Sequence, residues 1–151
     1  MNICIIYDTR REKGATKHIV KWLSEELFRM GGNVDIVKPG EIDSFDYDLF
    51  IIGSPIYWEK PLKNILDFLS NNADNLRNKR VALFIVCLTN IFGKLGEKYV
   101  KNVYLKPLLE KCSGKVIEYH IFRGWMWKPD YSIKEDCIKW VKKLVDKTFK
   151  Y

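Results

Sequence analysis

Two short stretches of this chain carry side chains whose types and spacing could do chemistry. Residues 8–16 read DTRREKGAT, with hydroxyls at Thr9 and Thr16, cations at Arg10, Arg11 and Lys13, and a glycine at Gly14 followed by Ala15. A loop of this kind leading into a helix turns backbone N–H groups and the positive end of the helix dipole toward an anion. Gly14, with no Cβ, lets the backbone come close to that anion. The chemistry is phosphate binding; the competing reading is a plain surface turn capped by Thr16. Neither a G-x-G-x-x-G nor a Walker A lysine motif occurs, which disfavours dinucleotide and P-loop nucleotide binding. The second stretch follows an apolar run, Leu49 to Ile52, that stops at Gly53-Ser54-Pro55; Ile56, Tyr57 and Trp58 come next. Aromatic faces stack on flat rings. Together the two stretches call for a flat ligand that carries a phosphate.

Other chemistries find little support. Cys4, Cys87, Cys112 and Cys137 show no C-x-x-C spacing, and His18 and His120 have no carboxylate or cysteine at ligand spacing, so no metal site is expected. The thiols read as reduced, two of them (Cys4 and Cys87) inside strands. No nucleophile–base pair or pair of carboxylates can be assigned. The GWMWKPDY segment (124–131) places Trp125, Met126 and Trp127 after the last strand, either over the ligand, as a patch for a partner, or packed on the last helix.

These residues must be positioned by regular elements. NICIIY (2–7) reads as a strand, and Ile19, Val20, Leu23, Leu27 and Met30 mark one face of a helix over 16–30 that stops at Gly31-Gly32. NVDIVK (33–38) alternates and suits an edge strand; 48–53 is the third strand, and VALFIVCL (81–88), the longest apolar run, reads as the central one. Leu62, Ile65, Leu66 and Leu69 form the intervening helical face. Residues 96–112 are helical but should kink or split at Pro107. KVIEYHIF (115–122) is the fifth strand, and 132–149 the final helix, with Ile133, Cys137, Val141, Leu144 and Val145 inward; Trp22 and Trp140 read as core or half-buried. Strands alternating with helices imply a parallel sheet covered on both faces. The expected fold is α/β, a flavodoxin-like three-layer sandwich with a five-stranded parallel sheet in the order 2-1-3-4-5. In such sheets ligands sit beyond the carboxyl ends of the strands, where both stretches fall.

Tyr7-Asp8-Thr9 with Gly14-Ala15-Thr16 after the first strand, GSPIYW after the third and FIVCLT at the end of the fourth resemble the flavodoxins. The nearer resemblance is to the single-domain flavodoxins that include the FMN-dependent protoporphyrinogen oxidase of bacteria. It spans essentially the whole chain, 1–151, as one FMN-binding domain. It implies a noncovalent FMN whose phosphate lies against Thr9, Arg10, Gly14, Ala15 and Thr16. The ring would lie between Ser54, Pro55, Ile56, Tyr57 and Trp58 on one side and Leu88, Thr89 and Asn90 on the other. Two departures stand out. The phosphate loop is about two residues longer than the family's, and Glu59 holds a place often taken by glycine. A side chain there makes a positive φ harder to reach, and its carboxylate would repel a negatively charged reduced flavin. The resemblance implies an electron carrier shuttling between redox partners. An FMN-dependent oxidoreductase acting on a porphyrinogen or quinone is the alternative, and a cofactor-free scaffold the third. A receiver domain does not fit, because the third strand ends in Gly53-Ser54 rather than a phospho-accepting aspartate.

The chain has 151 residues, 47% hydrophobic and 30% charged, as a soluble globular domain does, and a formal net charge of +7. Residues 1–93 hold 12 cations and 12 anions, whereas residues 94–151 hold 14 against 7. Lys139, Lys142, Lys143, Lys147 and Lys150 recur on the final helix, either as solvated surface or as a docking face for an acidic redox partner. No nucleic-acid motif is present. No run approaches a membrane span, and no basic region precedes the N-terminal apolar stretch, so the expected location is cytoplasmic, as a monomer or weak homodimer without membrane insertion.

Overall fold

Unbroken apolar runs and amphipathic stripes alternate along the chain, and they become the strands and helices of one sandwich. The computed structural model describes residues 1–88 and 93–149. The strands are β1 (Asn2–Tyr7), β2 (Asn33–Val37), β3 (Leu49–Tyr57), β4 (Lys60–Pro61), β5 (Arg80–Cys87) and β6 (Lys115–Arg123). The helices are α1 (Ala15–Arg29), α2 (Lys63–Asn71), α3 (Ala73–Leu76), α4 (Gly93–Val100), α5 (Lys106–Lys111) and α6 (Ser132–Phe149), with a π-helical turn over Lys101–Leu105. Five strands pair in parallel in the order β2-β1-β3-β5-β6, and β4 adds a short antiparallel hairpin partner to β3. The expected order therefore holds, with a sixth, two-residue strand beyond it. The centre of the sheet is β3, not the 81–88 run, which becomes β5 one place to its side. Both runs are covered on two faces, so apolar length could not separate them.

Strand parity divides the core in two. Ile3, Ile5, Leu49, Ile51, Ala82 and Phe84 face α1 and α6, while Cys4, Ile6, Phe50, Ile52, Leu83 and Ile85 face α2, the π turn and α5. The inward residues expected on α6 are all buried, as are Trp22 and Trp140. Gly53 has a steric reason: a Cβ there would lie 2.0 Å from the ring of Phe84 on β5. Pro107 splits the expected 96–112 helix, with the π turn before it and α5 carrying the proline in its first turn. The four cysteines form no disulfide. No helix among the described residues is long and apolar enough to cross a membrane.

Candidate functional site at the carboxyl edge of the sheet

Because β1, β3, β5 and β6 run parallel, the segments that follow them gather at one edge. A shallow cleft, open to solvent, lies there. It is lined by Thr9, Arg11, Gly14, Ala15 and Thr16 after β1, by Pro55, Ile56 and Tyr57 of β3, by Val86, Cys87 and Leu88 at the end of β5, and by Gly124 and Trp125 after β6.

The first wall is built by a folded-back turn. Asp8 Oδ1 accepts the Thr9 amide at 2.8 Å, Thr9 Oγ1 accepts the Arg11 amide at 3.2 Å, and the Gly14 amide reaches the Arg11 carbonyl at 3.0 Å. A Cβ on Gly14 would meet Arg11 Cβ at 3.1 Å and its carbonyl oxygen at 3.2 Å, so the turn closes most easily around glycine. Gly14 is the N-cap of α1, and no side chain caps it. Thr16, 3% exposed, sits inside the first helical turn instead of capping it, so the plain capped turn does not describe this loop. Uncapped first-turn amides and the helix dipole make this wall suited to an anion. Glu12, the loop's acidic residue beside the cations, is paired with Lys17 at 3.0 Å, and that hydrogen bond holds its carboxyl below the usual range. Asp8 is further tied to Asn64 on α2.

The aromatic wall arises because β3 runs beyond the expected 48–53. Its parallel pairing with β5 continues to Pro55 opposite Val86, and then β3 turns through Trp58-Glu59 into β4. Both turn residues have positive φ, 50° and 62°, the geometry of a two-residue hairpin usually met by Asn-Gly. Glu59 thus adopts the conformation that its side chain disfavours. Its Oε1 accepts the hydroxyls of Tyr99 and Tyr104, each at 3.3 Å, which fastens the turn to α4 and the π turn. The Glu59 charge in turn raises the Tyr99 phenol above its ordinary range. Tyr57 faces the cleft, with the Arg10 guanidinium 5.2 Å from its ring centre.

The expected residues separate accordingly. Thr9, Gly14, Ala15, Thr16, Pro55, Ile56, Tyr57 and Leu88 come together on the cleft. Arg10 stands beside it, over Tyr57, while Arg11 lines it. Ser54 is fully buried; its hydroxyl accepts the Leu62 amide and donates to the Pro55 carbonyl, both at 2.8 Å, pinning β3 to the start of α2. Trp58 points out at the hairpin tip, 90% exposed. Thr89 and Asn90 lie outside the described residues. Val86 and Cys87 line the cleft with no motif to mark them, Arg11 lines it as one of the three loop cations, and Gly124 and Trp125 line it from the segment after the last strand. Trp125 packs on α1, its ring centre 5.4 Å from that of His18 and 5.8 Å from that of Trp22. His120 pairs with Asp136 at 2.9 Å, a contact across two elements that spacing in the sequence could not reveal.

The comparison that decides the family is a match of residues 4–149 to the model of the flavodoxin domain. The chain belongs to the flavodoxin family. An uncharacterized protein of Methanocaldococcus jannaschii is 31% identical over 118 residues, covering 78% of this chain and 70% of its own length. Among solved structures, a short-chain flavodoxin associated with a non-canonical PDU bacterial microcompartment superposes with a TM-score of 0.71 at 14% identity, covering 98% of this chain and 99% of that one. Oxidised flavodoxin 1 of Bacillus cereus gives 0.66 at 15% identity, covering 97% and 98%. At such identities the structural likeness speaks for the flavodoxin fold alone.

Proposed function

We propose that this flavodoxin is a single FMN-binding domain that carries electrons between redox proteins. The observation that carries the reading is the convergence, on one cleft, of an uncapped helix N-terminus in a cationic loop with a tyrosine platform. The residues fit FMN. Thr9, Gly14, Ala15, Thr16 and Arg11 would hold the phosphate, while Tyr57, Pro55 and Ile56 would face the ring across from Leu88, Gly124 and Trp125. Once bound, FMN supplies one- and two-electron chemistry.

The protein's own part is to orient and shield the group. Tyr57 offers a stacking face, Trp125 lines the same cleft from its seat on α1, and Ser54 and Asp8 fix the two walls through α2. The described walls of the cleft carry no carboxylate or imidazole, which favours a carrier over an enzyme that moves substrate protons. A net charge of +7 favours acidic partners. Absorption spectroscopy of the purified protein, with mass identification of the released ligand, tests the reading. A flavin spectrum and the mass of FMN support it, and a protein that takes up no flavin on reconstitution overturns it.

A further inference from the structure

The loops around the cleft expose more apolar surface than the cleft uses. Trp127 is 85% exposed, and Trp58, Leu88, Met126 and Tyr131 are exposed as well, all on segments that follow β3, β5 and β6 at the carboxyl edge. Exposed apolar side chains gathered on one edge mark an interaction site more often than chance placement.

The charges on these loops are sorted. Every described carboxylate is engaged within the protein: Asp8 by the Thr9 amide and Asn64, Glu12 by Lys17, Glu59 by Tyr99 and Tyr104, and Asp130 by Arg123 and Ser132. Arg10 lies over Tyr57, and Arg11, Lys13, Lys60 and Lys128 have no carboxylate partner among the described residues. The two most exposed indoles each have a lysine close by in sequence, Lys60 after Trp58 and Lys128 after Trp127. The edge therefore joins aromatic and methionine side chains to cations left without internal counter-charge. Aromatic, Met and Arg residues are those enriched in protein interfaces.

The lysines of α6 are differently placed. Lys147 is bound to Glu118 and to the Ile117 carbonyl, and Lys143 lies beside it over β6, away from the cleft. Lys139, Lys142 and Lys143 also have no carboxylate partner among the described residues, so it is the exposed aromatic and methionine side chains that favour the carboxyl edge over α6.

We propose that the carboxyl edge, with Trp127, Met126 and Leu88 among Arg10, Lys60 and Lys128, is the docking face for an acidic redox protein. This rests on the electron-carrier reading and names the partner's chemistry. The apolar side chains stand on separate loops around a concave cleft, a shape that fits a convex protein better than a flat lipid surface. The unpaired cations select a negative partner and steer its approach.

An acidic plant-type [2Fe–2S] ferredoxin serves as the probe, and basic cytochrome c as the control. Calorimetry at low salt should show binding of the ferredoxin alone, lost as the screening length falls from ~30 Å at 0.01 M to ~8 Å at 0.15 M. Lys60→Glu with Lys128→Glu should weaken ferredoxin binding by about tenfold or more, whereas Lys139→Glu with Lys143→Glu on α6 should change it by less than about twofold. Trp127→Ser should weaken it at unchanged charge. The proposal is overturned if the ferredoxin does not bind, if cytochrome c binds as well, or if the α6 pair matters more than the rim pair. It is equally overturned if vesicles containing anionic phosphatidylglycerol bind while the ferredoxin does not. Binding is read without reference to flavin, so absence of FMN would fail the electron-carrier reading and leave these outcomes separately visible.

Discussion

Placing a carboxylate at position 16 discriminates between a phosphate site and a simple turn. Thr16 is 3% exposed, lies in the first turn of α1 and lines the cleft. A glutamate at that point is favoured by the helix dipole, and Arg11 on the same wall offers it a counter-ion, so Thr16→Glu should fold. Toward FMN the sign reverses. Two unit charges about 4 Å apart repel by roughly 4 kcal/mol at an effective dielectric constant near 20, and a phosphate monoester carries about −1.5 to −2. The open cleft and the neighbouring cations screen part of this. The expected loss is therefore about 3–4 kcal/mol, or two to three decades in Kd. FMN titrations followed by quenching of flavin fluorescence measure it, with riboflavin as the control because it lacks the phosphate. Thr16→Glu should weaken FMN strongly and riboflavin hardly at all. Equal affinity of mutant and wild type for FMN would refute the phosphate assignment. An equal loss for both ligands would show that the mutation deforms the ring site instead.

Tyr57→Ala should cost FMN binding about 1–3 kcal/mol and brighten the bound flavin, whereas Trp58→Ala should cost little, since Trp58 is 90% exposed and off the cleft wall. Fluorescence titration of both variants checks the order, and a larger effect at Trp58 would contradict it. Thr148→Val should raise stability by about 0.5–1.5 kcal/mol in a urea titration, because Thr148 is 1% exposed and its hydroxyl has no hydrogen-bond partner among the described residues. Burial pushes the Cys4 and Cys137 thiols up to about 12, so both stay protonated and unreactive throughout the neutral range. Iodoacetamide applied to the native protein at pH 8 should therefore leave both unmodified by mass spectrometry, and rapid labelling of either would contradict the burial described.

The fold was legible because its signals are long-range averages. Two-face burial turned each parallel strand into an apolar run, and α6 occupies the 132–149 span that its stripe marks. The site was legible where chemistry depends on residue type at a strand end, as at Thr9, Gly14 and Tyr57. It was not legible where side-chain direction decides. Ser54 shares the parity of Ile52, which faces α2, and that alternation was the available signal that its hydroxyl would turn inward. The hairpin at Trp58-Glu59 lacks the Asn-Gly or Asp-Gly signature, and the tyrosines that fasten it lie 40 and 45 residues away, so no local pattern announced it. Pro55 read as a breaker, yet β3 continues through it, because a strand can carry proline where its missing N–H is not needed. Arg11 and Trp125 took their places through tertiary packing, the first by the turn around Gly14 and the second by contact with His18 and Trp22.

The most direct test of the central claim is reconstitution with stoichiometric FMN, followed by difference absorption and the mass of the retained ligand. The expected result is one FMN per chain, a flavin band perturbed by Tyr57, and retention lost in Thr16→Glu. A wild-type chain that retains no flavin, or that retains FMN equally in Thr16→Glu, would contradict it.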